Sequence, residues 1–176
     1  MVLGSDKIFK LIETENLIEN LPEDGFVIEG CTVDFRLDFV SRHYGGAVLM
    51  EKSRNTGEVK QTSCNEHGVY KLHPKTPYLF TTIEKVNMPK DLVMHIDTRT
   101  TMFRSGVQLT ATYTNPGYSG VLTFMAYSFS ETTIAIQRGF RIAQGCFQQI
   151  DGKVVPYTGQ WQGGKVHTEG KDVGSR

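Results

Sequence analysis

The chain has 176 residues, and its 19 Lys and Arg residues balance 19 Asp and Glu residues for a formal net charge of zero. That length supports one domain with a real core, and the charge balance excludes nucleic acid polymers or an anionic membrane as whole-surface partners. Three widely spaced cysteines (Cys31, Cys64 and Cys146) argue against a disulfide framework, and no run approaches the ~18 apolar residues of a membrane span.

In chain order, Ser5 is placed to cap a short helix over 6–14, with Ile8, Leu11 and Ile12 on one face. A second helical turn is expected near 15–20, ended by Pro22 and Gly25. Lys7, Lys10 and Glu13 interrupt the apolar residues of this start, so it does not read as a signal peptide. From Cys31 to Phe39 apolar residues alternate with Thr32, Asp34, Arg36 and Asp38, the period of a half-buried strand. Residues 41–76 read as loops around one or two short strands. Further strands are expected at 78–83, 92–97, 107–113, 121–129, 132–136 and 140–147, with Gly and Pro turns between several of them. Many short strands punctuated in this way favour a sandwich or barrel. Residues 1–164 are expected to form a single domain, and 165–176 a flexible polar tail.

Three stretches carry candidate chemistry. Arg99, Thr100, Thr101 and Arg104 place two guanidinium groups and two hydroxyls at the end of a strand. This set suits a polyphosphate, because Arg forks grip phosphate oxygens and hydroxyls add neutral donors. Asn115-Pro116-Gly117 makes a turn, and Tyr118 then offers a flat face for a deoxyribose. Asp34, Asp97 and Glu131 are the carboxylates nearest to these motifs, and strand spacing puts Asp97 on the face of Arg99. Cys64-x-x-His67 lacks the second Cys/His pair that a zinc site requires, so no zinc is expected.

With Val33-Asp34-Phe35-Arg36-Leu37 before them and Arg138-Gly139-Phe140-Arg141-Ile142-Ala143-Gln144 and Pro156–Gly163 after, these motifs resemble the dCTP deaminase branch of the trimeric dUTPase superfamily. The resemblance implies a mainly β, jelly-roll-type antiparallel domain with a short N-terminal helix, assembled as a homotrimer with sites between neighbouring subunits. It implies a deoxypyrimidine nucleoside triphosphate as ligand, with Mg2+ carried by the triphosphate; a reducing cytoplasm is expected separately, from the odd and widely spaced cysteines. It further implies catalytic positions at Thr100, Arg104, Asn115 and Met125. Nucleotide contacts fall at Arg99, Thr101, Tyr118, Gln144, Tyr157, Gln160, Trp161 and Gln162.

Two departures bear on the chemistry. Where relatives open the turn with the Asp that activates water in dUTPases, this chain has Asn115. An amide positions water but does not take its proton at neutral pH. Where the deaminases carry a Glu base on the next strand, this chain has Met125, which does no acid–base work. In the C-terminal arm, Gln160 and Trp161 stand in place of a Lys and a Tyr. Three readings follow: a dCTP deaminase or dUTP diphosphatase with an altered water-activating set, a nucleotide-binding homologue without catalysis, or a structural β trimer with a decayed pocket.

Overall fold

The computed structural model describes residues 1–23, 28–167 and, for the backbone alone, 169–171. It opens with α1 (Ser5–Glu15), followed by β1 (Ile18–Glu19), β2 (Ile28–Glu29), β3 (Thr32–Tyr44), β4 (Val48–Leu49) and β5 (Ser53–Asn55). Next come β6 (Glu58–Gln61), β7 (Val69–Leu72), β8 (Pro77–Asn87), β9 (Leu92–Thr98) and α2 (Thr100–Arg104). The chain ends with β10 (Val107–Thr110), β11 (Tyr113–Thr114), β12 (Ser119–Ser128), β13 (Ile134–Gln137), β14 (Arg141–Gln149) and β15 (Glu169–Lys171).

Ten strands form one antiparallel sheet whose main path runs β10-β12-β8-β3-β14-β9-β11. The sheet curls because β3 serves two halves. Its first part, Thr32–Arg36, pairs with β14, and its second, Leu37–Ser41, pairs with β8. The register slips between Leu37 and Phe39, where the strict alternation of buried and half-buried residues also breaks. A bulge bends a strand and raises its twist, which lets β3 turn from one half of the sheet to the other. The side chains pointing inward, among them Phe35, Phe80, Met94, Ile142 and Phe147, form the core.

Several local expectations change. The first helix begins at Ser5 and its cap position is Gly4, with no side-chain cap, because Ser5 is already in the helix. No helical turn follows it. Asn16 adopts a left-handed conformation (φ 54°) and its N–H bonds Leu11 O, closing the helix. Ile18 and Glu19 then pair with Val86 and Lys85. Gly25 lies outside the described residues. The stretch 41–76 is more ordered than its composition implied, holding the end of β3 and four short strands. The 107–113 run is interrupted, giving β10 and β11 on different neighbours, β12 and β9. In the expected tail, Glu169–Lys171 pairs with Ser53–Asn55, while residue 168 and residues 172–176 lie outside the described residues.

Glu84 is the one fully buried carboxylate among the described residues. Alternation along β8 sends Tyr78, Phe80, Thr82, Glu84 and Val86 inward together. The carboxylate is paired by Arg36, whose Nε lies 2.5 Å from Oε1, and by the Arg36 backbone N–H, 2.7 Å from Oε2. Arg36 also donates to Asn20 O at 2.8 Å, tying the chain after α1 to the sheet.

Candidate active site

A cavity of about 470 Å³ opens beside the Asn115–Gly120 turn. Leu79 of β8, Thr110 of β10 and Thr123 of β12 wall one side, and Asn115 and Tyr118 another. Tyr157 and Trp161, from the segment after β14, close it. The segment is positioned by main-chain contacts. Tyr157 N–H donates to Pro116 O at 2.7 Å, and Gly163 N–H donates to Ser119 O at 2.8 Å. Gly120 forms a bridge with Gly163. A side chain at Gly120 would place its Cβ 2.6 Å from Gly163 C and Gly164 N, so only glycine permits this approach.

Gln162 acts as the clasp of the arm. Its Oε1 accepts from Ser119 N–H at 2.8 Å and its Nε2 donates to Gly117 O at 2.8 Å. Both ends of the amide are therefore spent on holding the arm to the turn. Gln160 Oε1 accepts from Arg54 Nε at 3.1 Å, and Trp161 N–H donates to the Tyr157 hydroxyl at 3.1 Å. Tyr157 meets Tyr118 edge to face, with ring centroids 5.8 Å apart. The Tyr118 hydroxyl donates to Val121 O at 2.6 Å. Burial pushes its pKa up to about 12, the neighbouring Tyr157 adds to this, and a backbone contact from Gly164 pulls the other way. Tyr118 therefore keeps its proton throughout the neutral range.

The remaining candidates lie apart from this cavity. Thr100–Arg104 is a helical turn rather than a strand end, and Arg99 is its cap residue. Thr100, Thr101 and Arg104 are exposed, and none lines the cavity of its own chain. Arg99 does not pair with Asp97. Its Nε lies 3.1 Å from Asp34 Oδ1, and Arg141 reaches Asp34 Oδ2 at 3.0 Å. The reason is the turn into α2, which breaks the strand alternation after Thr98, where Asp97 Oδ1 accepts the Thr98 N–H at 2.7 Å. Burial pushes the Asp34 carboxyl up, against the opposing pull of Arg99 and Arg141. Gln144 sits between Asp34 on β3 and Asp97 on β9 in the same row. Glu131 pairs with Lys75 at 3.1 Å on the exposed surface.

Met125 is 43% exposed and does not fill the core. It is registered between Thr110 and Leu79, both of which line the cavity, so it stands at the cavity's edge. Among the described residues no Asp or Glu side chain lines the cavity. The lining also includes His43 and Lys165, which the sequence did not single out. Nothing in their spacing marks them, since one lies at the end of an unexpectedly long β3 and the other follows the arm motif. Among the described residues no three His, Cys, Asp or Glu side chains gather as metal ligands, and no helix is long and apolar enough to cross a membrane.

Residues 2–150 match the family model for dCTP deaminase-like proteins. The chain belongs to that family. It is 30% identical over 177 residues to a dUMP-forming dCTP deaminase of Dictyoglomus turgidum, an alignment covering 96% of this chain and 91% of the relative. Among solved structures, the fold matches the dCTP deaminase of Agrobacterium tumefaciens with a TM-score of 0.63 at 15% identity. That match covers 84% of this chain and 47% of the other, so the chain spans about half of that protein's length. A mutant dUTPase of phage phi11 of S. aureus, whose structure concerns a structural Mg(II) ion, matches with a TM-score of 0.51 at 12% identity. In that case 80% of this chain and 94% of the other are covered. Both likenesses bear on the fold, a curled antiparallel β domain with one short N-terminal helix, and family membership ties the chain to deoxypyrimidine nucleotide metabolism.

Proposed function

We propose that this protein binds a deoxypyrimidine nucleoside triphosphate in the cavity between the Asn115–Gly120 turn and the Tyr157–Gly164 arm, and acts on dCTP by deamination, on dUTP by hydrolysis, or on both. The observation that carries the reading is the convergence of Asn115, Tyr118, Tyr157 and Trp161 on one cavity of about 470 Å³. Tyr118 and Trp161 supply flat faces for sugar and base. The Asn115 amide has both a donor and an acceptor, which suits a pyrimidine edge or an ordered water.

The triphosphate needs cations that this part of the chain supplies sparingly. Arg99 and Arg104 provide them from a neighbouring subunit of a homotrimer, with Thr100 and Thr101 adding neutral donors, since none of the four lines the cavity of its own chain. Gln144 lies in the same row as Asp34, the carboxylate that Arg99 holds, and belongs to that contact. Mg2+ arrives with the nucleotide and is held by phosphate oxygens and water, neutralising charge there. Residues 1–164 work as one unit, in the cytoplasm.

A second reading, nucleotide binding without turnover, is favoured by the lack of a carboxylate among the described residues that line the cavity. One incubation separates the two. Purified protein is given dCTP or dUTP with Mg2+, and ammonia, uracil nucleotides and pyrophosphate are followed. The first reading expects product from at least one substrate, and the second expects binding with no product. Neither binding nor product would sink both.

A further inference from the structure

We infer that His43 is the proton acceptor for the attacking water in this cavity, in place of the carboxylates absent at Asn115 and Met125. The inference rests on the nucleotide reading above and deepens it. Elimination leads to His43. The carboxylates that sequence offered as substitutes are engaged elsewhere: Asp34 with Arg99 and Arg141, Asp97 with the Thr98 N–H, and Glu131 with Lys75. Glu84 is sealed in the core by Arg36. Of the cavity's own titratable side chains, Tyr118 is bound to Val121 O, Tyr113 and Tyr157 are phenols, and Lys165 is an ammonium. Phenols and ammonium groups ordinarily hold their protons well above neutral pH, whereas an imidazole exchanges its proton near pH 6.5.

Placement supports the same choice. His43 follows Ser41 by two residues on β3, and Ser41 is registered with Leu79 of β8, itself registered with Met125. The imidazole therefore stands on the strand face of Ser41, two residues along β3 from the row in which the family's base position now holds methionine. It is fixed from the other side by pairing of His43 with Val59 of β6. Lys60 and Glu58 flank Val59 on that strand, pair with each other at 4.0 Å and alternate to the opposite face. Among the described residues no side chain holds the His43 ring, which leaves its nitrogens available to a bound water.

For a cytosine nucleotide, water oxygen bonds to C4 as one proton passes to the imidazole and on to the exocyclic amine, the C4–N bond breaks and ammonia leaves, and the second water proton moves from oxygen to N3 to give the uracil base. For a uracil nucleotide, the same transfer lets water oxygen bond to the α-phosphorus while the bond to the bridging oxygen of pyrophosphate breaks. The two substrates distinguish these routes, and the base is the same in each.

The test measures ammonia and pyrophosphate release from dCTP and dUTP across pH 5–9, with Trp161 fluorescence reporting nucleotide binding in the same samples. The wild-type rate should fall on acidification, because a protonated imidazole accepts no further proton. His43→Gln and His43→Ala should each lose ~100-fold or more in rate with binding changed less than about threefold, and added imidazole should restore part of the His43→Ala rate. A variant that keeps its rate within threefold overturns the inference while leaving the nucleotide reading intact. So does a wild-type protein that binds nucleotide and releases no product. Absence of binding by the wild type overturns the nucleotide reading, and the inference with it.

Discussion

Replacing Glu84 with Ala is expected to destabilise the domain by about 3–5 kcal/mol, the usual cost of removing one partner from a buried ion pair. The carboxylate is 1% exposed and receives both the side chain and the backbone N–H of Arg36. Its removal leaves a guanidinium only 22% exposed without its counter-charge, together with an unpaired main-chain donor. Urea denaturation measures the loss as a lower midpoint at unchanged slope. The double variant Arg36→Met with Glu84→Leu should recover more than half of it, because a buried pair replaced by apolar groups loses its desolvation penalty as well. A cost below about 1 kcal/mol for Glu84→Ala would show that the pair is solvated and the core does not close over it.

Gly120→Val should unseat the arm. The new Cβ would meet Gly163 C and Gly164 N at 2.6 Å, and these are main-chain atoms that cannot rotate aside. The Gly163–Ser119 hydrogen bond and the Gln162 clasp are lost with the displacement. Overpacking of this kind costs about 1–3 kcal/mol, but its larger effect falls on the site, since Tyr157 and Trp161 no longer close the cavity. Trp161 emission should shift to the red, and nucleotide affinity should drop ~10-fold for each 1.4 kcal/mol of lost contact. Gly46→Ala is the control, because a Cβ there meets nothing within 4 Å. Equal behaviour of the two variants would mean that the arm does not depend on the glycine contact.

Much of the fold was legible because it is written in period 2. The alternation from Cys31 to Phe39 marks β3 without ambiguity, and the same rule carried through Glu84 would have extended β8 and placed that carboxylate inside. What alternation does not encode is where a strand changes partners. The slip between Leu37 and Phe39, which curls the sheet, depends on two neighbours, β14 and β8, far apart in sequence. Thr100–Arg104 is too short for a helical period, and it forms because the chain must turn after Thr98, whose hydroxyl is held by the Leu109 backbone. Residues 41–76 look like loops because their strands are two to four residues long and mostly exposed.

The candidate site was legible as a set of residues and not as an arrangement. Asn115, Tyr118, Tyr157 and Trp161 converge because main-chain bonds bring the arm to the turn, which no side-chain motif announces. Arg99 and Arg104 stand elsewhere on the chain, as a site shared between subunits would require. His43 was hidden because its strand runs further than its composition implied, to Tyr44.

Nucleotide binding in the cavity between turn and arm is read by a Trp161 fluorescence titration with dCTP, dUTP and their deoxynucleosides in the presence of Mg2+. A saturable change is expected with either triphosphate, weaker or absent with the deoxynucleosides, and strongly diminished in Gly120→Val. A Trp161 signal that stays flat through millimolar dCTP and dUTP would contradict it, leaving the curled β fold without the ligand assigned to it.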